Sequence, residues 1–320
     1  MLALVYNIFL RHDRRSCTNN LNFVRKAHQL HETAMLPAAG ASKAVAVVGL
    51  GTAGAATAVF LARQGYHVKL FEKNRLEEFK VLRGAGIGIQ PIGLSVLKHL
   101  GILEPILGFG SRIDRLFATT ASNRTVLDLY YKDFRRELYG LGLNRNVLFQ
   151  ELVYLAQSTP NIDIVAGEGV EAVESSSKAK PFVKLVSGSK EGPFDFVVVA
   201  DGRSSIRRNM PVKSYEKSYP YGCLWASLPD VGDEFCSQNT LDQKLDSTHT
   251  MLGVLPTGKT HDMDPAQDKL VTLFWSVELS KLDSQRVRFA LLPSYRVVCT
   301  LCLVSSVWLM VTCTSPRVHY

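Results

Sequence analysis

Cysteine is sparse in this chain. Six of its 320 residues are cysteines, at positions 17, 223, 236, 299, 302 and 313, without the spacing of a disulfide framework. Reduced thiols are the expectation. Cys299-Thr-Leu-Cys302 has CxxC spacing, but neither a second pair nor a histidine cluster accompanies it. Buried or incidental thiols are therefore the simpler reading beside metal or redox use. No GxSxG occurs, and the eight histidines form no evident Ser-His-Asp arrangement, which leaves a cofactor-free hydrolase little support. The formal charge of +8 is scattered along the chain. Without basic runs interleaved with aromatics, it argues against nucleic acid as a partner. Internal repeats and low-complexity tracts of consequence are also lacking.

An apolar run of full bilayer length is missing as well. Val297 to Cys313 carries no charge over 17 residues, short of the roughly 20 that cross a bilayer. A membrane tail anchor is thus not favoured over a buried or aberrant segment. At the other end MLALVYNIFL precedes Arg11, Arg14 and Arg15, the reverse of the order in a secretory signal. A mitochondrial presequence, or an extension before an effective start at Met35, fits these residues better, and a cytoplasmic location is favoured. The 320 residues together are 46% hydrophobic and 21% charged, enough for one large or two medium domains.

The organised part starts at Ala44. AVAVVG reads as a strand covered on both faces. TAGAATAVFLARQG reads as a buried helix with its stop at Gly65, and HVKLFEK as a second strand ending in Glu72. Together they make a βαβ unit. Pro91 to Leu100 and residues 146–157 follow as helices. IDIVAG is a short strand, EAVES and PFVKLVSG are a strand pair, and FDFVVVADG is a buried strand ending at Asp201-Gly202. Beyond Pro211, YGCLWASL, HTMLGVLP and LVTLFWSVEL suggest a mixed sheet able to wall a ligand pocket.

Three clusters carry the chemistry. Gly49-Leu-Gly51-Thr-Ala-Gly54 is a GxGxxG between strand and helix. In that setting Gly49 permits the tight turn, Gly51 the approach of a pyrophosphate, and Gly54 close packing of helix on strand. Thr52 and Ala53 stand in the first helical turn, whose free amides and positive dipole end favour phosphate. Glu72 lies 18 residues beyond Gly54, where a carboxylate accepts ribose hydroxyls and repels a 2′-phosphate, favouring FAD or NAD over NADP. In Arg83-Gly-Ala-Gly-Ile-Gly88, three glycines within five residues imply close approach to something flat or bulky, or a flexible loop. Arg83 offers a cation to a flavin or nicotinamide phosphate. Arg145 is placed to reach cofactor phosphates or to form a surface salt bridge. Asp201 opens a DGxxSxxR spacing with Ser205 and Arg208 that a bare turn does not require.

With GLGTAG and Glu72, RGAGIGIQPIG, and VVVADGRSSIRR standing in this order, the chain resembles the class A flavoprotein monooxygenases, the para-hydroxybenzoate hydroxylase-like family. The resemblance covers roughly residues 44–285 and takes in YPYGCLWASLPD, MLGVLPTG and LVTLFWSVEL as substrate-domain strands. It implies an α/β fold in which a Rossmann-like FAD/NAD(P)-binding domain carries a mixed-sheet substrate domain. The divisions expected are an N-terminal extension over 1–43, an FAD-binding domain over 44–212, a substrate-domain sheet over 213–285 and an atypical apolar tail over 286–320. The resemblance also implies FAD held by Gly49, Gly51, Thr52, Ala53, Gly54, Glu72, Arg83, Arg145 and Asp201, with NAD(P)H as co-substrate. A flavin C4a-hydroperoxide would pass one oxygen atom from O2 to a small aromatic or similar organic substrate, without a protein nucleophile.

One departure stands out. The family's further Gly-Asp segment, expected several dozen residues after LFWSVEL, has no counterpart, because Gly232-Asp233 precedes that strand and continues as Glu-Phe. The C-terminal part of the FAD domain is therefore expected to be missing, as in a truncated or differently spliced product. Each lost buried side chain would cost about 1.5–3 kcal/mol against a total stability of about 5–15 kcal/mol. Two rival readings stay open: a catalytically incompetent flavoprotein fragment, and an NAD-dependent dehydrogenase using the same glycine fingerprint.

Overall fold

A computed structural model describes residues 43–81, 84–176, 179–202, 206–210, 219–245 and 251–281. The extension at 1–42, the apolar tail and Arg83, Ser205, Cys17, Cys299, Cys302 and Cys313 lie outside the described residues.

The expected βαβ unit is present as β1 (Ala44–Val48), α1 (Thr52–Arg63) and β2 (His67–Glu72). β1 has small or β-branched side chains throughout because both its faces are covered. Val47 packs into the core under the helices, whereas Ala46 faces a second cluster with Phe71, Val183, Leu185 and Phe194. α1 turns Gly54, Ala55, Ala58, Val59 and Ala62 inward, and this narrow stripe lets the helix lie close on the sheet. Gly65, in the left-handed region at φ +84°, ends it where the sequence places the stop.

β3 (Gly86–Ile89) and α2 (Pro91–Leu100) come next, and α2 ends on Gly101 at φ +79°. α3 (Leu103–Phe109), β4 (Ser111–Ile113), β5 (Arg115–Thr120), β6 (Thr125–Tyr130) and β7 (Gly140–Asn144) then lead into α4 (Arg145–Ser158). After these come β8 (Ile162–Ala166), β9 (Val170–Ser176), β10 (Ala179–Leu185), β11 (Lys190–Glu191) and β12 (Phe196–Val199). The last strands are β13 (Tyr221–Pro229), β14 (Thr240–Leu245), β15 (Met251–Gly258) and β16 (Leu270–Glu278).

Four sheets result. A parallel sheet runs β12-β1-β2-β8, with Val48 opposite Val199 on one side and Phe71 on the other. Residues of α1, α2 and α4 line the core on one of its faces, and the antiparallel sheet β11-β10-β9 supplies the cluster on the other. Among the described residues β12 has a neighbour on one side only, and Val197 to Val199 are half-buried where β1 is sealed. The mixed sheet runs β13-β16-β15-β14-β5-β6, with β14 parallel to β5, so residues 115–130 join the three strands read from the sequence. A small sheet, β3-β7-β4, packs on β15. That junction explains two glycines. A Cβ on Gly142 would stand 1.8 Å from the Pro256 carbonyl oxygen, and one on Gly86 would stand 2.3 Å from Thr257 Cγ2.

Among the described residues no helix is long and apolar enough to cross a membrane. Cys223 and Cys236 are free thiols.

Candidate cofactor site

β1 is the strand at which the parallel sheet reverses its order. The chain proceeds from β1 to β2 and β8 on one side, then returns to place β12 on the other. In open α/β sheets the crevice outside the carboxyl ends of such strands is where ligands bind. Here those ends are Val48 and Val199, and the glycine loop and Asp201 lie directly beyond them. Ala200 N donates to Val48 O at 2.8 Å, which ties the two ends together.

The three glycines of the loop differ in what surrounds them. Gly49 has φ +100°, its amide donates to Phe71 O at 2.7 Å, and a Cβ there would meet Ala200 O at 2.7 Å. At Gly54 a Cβ would lie 1.8 Å from Gly49 O, so only glycine lets α1 close onto the loop. Packing accounts for both. Gly51 is different. Its φ of −79° suits any residue, and a Cβ would find no heavy atom within 4 Å. Among the described residues nothing requires glycine at that position, whereas a ligand that approached the main chain there would. Gly51 is also the N-cap of α1 and offers no side-chain oxygen to the helix. The amides of Thr52 and Ala53 consequently open the helix without a partner among the described residues, next to a positive dipole end with no acidic residue in the first turn. This is a cradle suited to a diphosphate.

Glu72 faces the loop. It is buried, at 8% exposure, and its Oε2 accepts from Leu50 N at 2.8 Å while Oε1 accepts from Asn74 N at 2.9 Å. The carboxylate thus pins the loop to the second strand, a role not visible in the spacing, and each oxygen keeps a lone pair for a further donor. Asp201 Oδ2 accepts from Ile206 N at 2.8 Å.

Arg145, the first residue of α4, is exposed, and its guanidinium has no partner among the described residues. Its amide donates to Ala85 O at 3.1 Å. A Cβ on Gly84 would come 3.2 Å from Arg145 Cβ, which brings the second glycine cluster against this helix start. Asn144 completes the junction. Its Oδ1 caps Asn146 N at 2.9 Å and its Nδ2 donates to Gly84 O at 3.3 Å. Within that cluster Gly84 and Gly86 answer to protein contacts, and Gly88 faces open space as Gly51 does. The Oδ1 of Asn146 is buried without a hydrogen-bond partner, a polar group that sequence reasoning passed over. Only its adjacency to Arg145 could have drawn attention to it.

Gly232 and Asp233, both at positive φ, lie in the turn between β13 and β14 of the mixed sheet, not beyond a strand of the parallel sheet β12-β1-β2-β8. Asp233 pairs there with Lys269 at 3.1 Å. It also lies close to Asp230 and the Cys236 thiol, but Asp230 is occupied in capping the amides of Phe235 and Cys236.

The chain matches the family described as FAD binding domain over residues 42–265, and it belongs to that family. It is similar to 6-methylpretetramide 4-monooxygenase of Streptomyces rimosus, at 30% identity over 203 residues, covering 60% of this chain and 46% of that protein. It is also similar to the FAD-dependent monooxygenase atnA of an Arthrinium species, at 28% over 174 residues and 52% and 22% coverage. The chain spans less than half the length of these curated relatives. Among solved structures, P. aeruginosa PqsL in complex with 2-aminobenzoylacetate superposes with a TM-score of 0.62 at 20% identity, covering 76% of this chain and 63% of that one. The tetrameric form of 2-methyl-3-hydroxypyridine-5-carboxylic acid oxygenase gives 0.60 at 20% identity, with 79% and 66% covered. The α/β architecture is therefore that of the FAD-dependent oxygenases, and the residues around Gly51 fit the cofactor that names the family.

Proposed function

We propose that this chain is the cofactor-holding part of an NAD(P)H-dependent FAD monooxygenase acting on a small aromatic or similar organic molecule. The observation that carries this reading is the open main chain at Gly51, set at the order reversal of the parallel sheet and faced by a buried acid. In this reading the amides of Thr52 and Ala53 receive the cofactor's pyrophosphate. Glu72 uses its remaining lone pairs on the adenosine ribose while holding Leu50 in place, and Arg145 supplies a cation to the phosphates. Asp201 lies beside Gly49, and Arg83 belongs to the same set by its position in the second glycine cluster. The six-stranded sheet walls the substrate. Held by these residues, FAD would supply the redox chemistry that couples NAD(P)H and O2 to oxygenation of the substrate. The protein contributes orientation and exclusion of water.

The absorption spectrum of the purified chain from the near-ultraviolet to the blue tests this, followed by NAD(P)H oxidation with product analysis. A flavin band with substrate-dependent oxygenated product supports the proposal. NAD(P)H consumption without product favours the non-catalytic flavoprotein, and stoichiometric NAD binding with no flavin band favours the dehydrogenase.

A further inference from the structure

A second concave site shares no residue with the glycine loop. It is an open groove of about 560 Å3 at one end of the six-stranded sheet, lined by Arg112, Arg115, Tyr130, Lys132, Arg136 and Thr240 among others. Two of its guanidinium groups are held in place before any ligand arrives. Arg115 donates from Nε and Nη2 to both Asp128 oxygens, at 2.7 and 2.8 Å, and its guanidinium carbon stands 4.0 Å from the Phe117 ring centroid and 5.2 Å from that of Tyr130. Arg112 donates from Nε to Asp114 at 2.7 Å and lies 4.2 Å from the Tyr139 ring. The Asp128 hydrogen bond and charge raise the Arg115 pKa further above its ordinary value. Each guanidinium has five N–H donors, so both keep donors that these pairs do not use. Lys132 sits 4.9 Å from the Tyr130 ring, and neither it nor Arg136 has a carboxylate partner among the described residues. Asp114, Asp128 and Asp242 are the acids near Arg112 and Arg115. Of the residues lining the groove, Arg112, Arg115, Lys132 and Arg136 are cationic and Asp114 is the one acid, so the lining is positive.

We propose that this groove binds the phosphate group of a small phosphate-bearing molecule. A carboxylate is satisfied by one fork. A tetrahedral dianion accepts from several donors at once, which matches two restrained guanidinium groups flanked by two unpaired cations. The inference does not depend on the flavin reading. Isothermal titration of the full chain with inorganic phosphate, at constant ionic strength set by chloride, tests it, and ribose 5-phosphate as a second probe separates free phosphate from a phosphorylated metabolite as the source. Saturable binding is expected, weakened about tenfold for each cation removed in Lys132→Ala and Arg136→Ala. Both side chains are exposed, so these variants keep the fold. Arg115→Lys, which retains the charge and loses the fork, should also weaken binding. No saturable heat, or binding unchanged in Lys132→Ala/Arg136→Ala, overturns the proposal. So does binding that Gly51→Val abolishes, since the phosphate would then occupy the glycine loop.

Discussion

Gly51 and Gly54 stand three residues apart in one motif, yet the structure assigns their losses to different observables. At Gly54 an added Cβ would lie 1.8 Å from the Gly49 carbonyl oxygen. Gly54→Ala must therefore push α1 off β1, separating Val59 and Ala55, both fully buried, from the sheet. Overpacking of this kind costs about 1–3 kcal/mol, and more where backbone is the obstacle. At Gly51 the same atom meets nothing within 4 Å and the φ of −79° is ordinary. Gly51→Val then loses about 1 kcal/mol or less of N-cap preference, while its side chain fills the space through which the diphosphate reaches Thr52 and Ala53. Thermal unfolding followed by circular dichroism, with FAD affinity from quenching of flavin fluorescence, separates the two. Gly54→Ala should lower Tm by several degrees or prevent folding. Gly51→Val should leave Tm within a few degrees of the parent and bind FAD at least about a hundredfold more weakly, the loss of roughly 2.7 kcal/mol. Gly51→Val with parental FAD affinity, or with the larger fall in Tm, would refute the reasoning.

Three further outcomes follow from the same geometry. Glu72→Ala removes the acceptor of the buried Leu50 amide, so it should lower stability by about 1–3 kcal/mol and weaken FAD binding together; urea melts and flavin titration check both. Arg145→Ala breaks no ion pair among the described residues and should leave urea stability within about 0.5 kcal/mol while weakening FAD binding, and unchanged affinity would remove Arg145 from the site. Burial raises the Cys223 and Cys236 thiols from 9.0 to about 11. Because the folded state disfavours the thiolate, the stability they contribute is present below pH 9 and is lost as pH rises through about 11. Iodoacetamide at pH 9 should therefore label both rapidly in the unfolded chain and slowly in the folded one, as read by mass spectrometry.

What the sequence reveals and what it hides divides by range. The βαβ unit was legible because its signals are local: apolar β1, the small-residue stripe of α1, and Gly65 and Gly101 at helix ends. The stretch from Leu103 to Asn144 was not. Pro105 and Gly108 read as breakers inside α3. Gly140 and Gly142 lower the strand signal of β7, although Gly142 is there because the Pro256 carbonyl leaves no room for a side chain. The parallel pairing of β5 with β14, Thr240 opposite Arg115, joins segments with no local pattern in common. Within the site, spacing predicted that Glu72 faces the loop. Only coordinates show its bond to Leu50, and that packing explains Gly49 and Gly54 but not Gly51.

The central claim is that main-chain amides beyond Gly51 receive a diphosphate. A crystal structure of the chain soaked with FAD tests it most directly. The account predicts pyrophosphate oxygens within hydrogen-bonding distance of Thr52 N or Ala53 N and a ribose hydroxyl on Glu72. A bound cofactor whose pyrophosphate lies elsewhere, with the glycine loop contacting only protein or solvent, would contradict it.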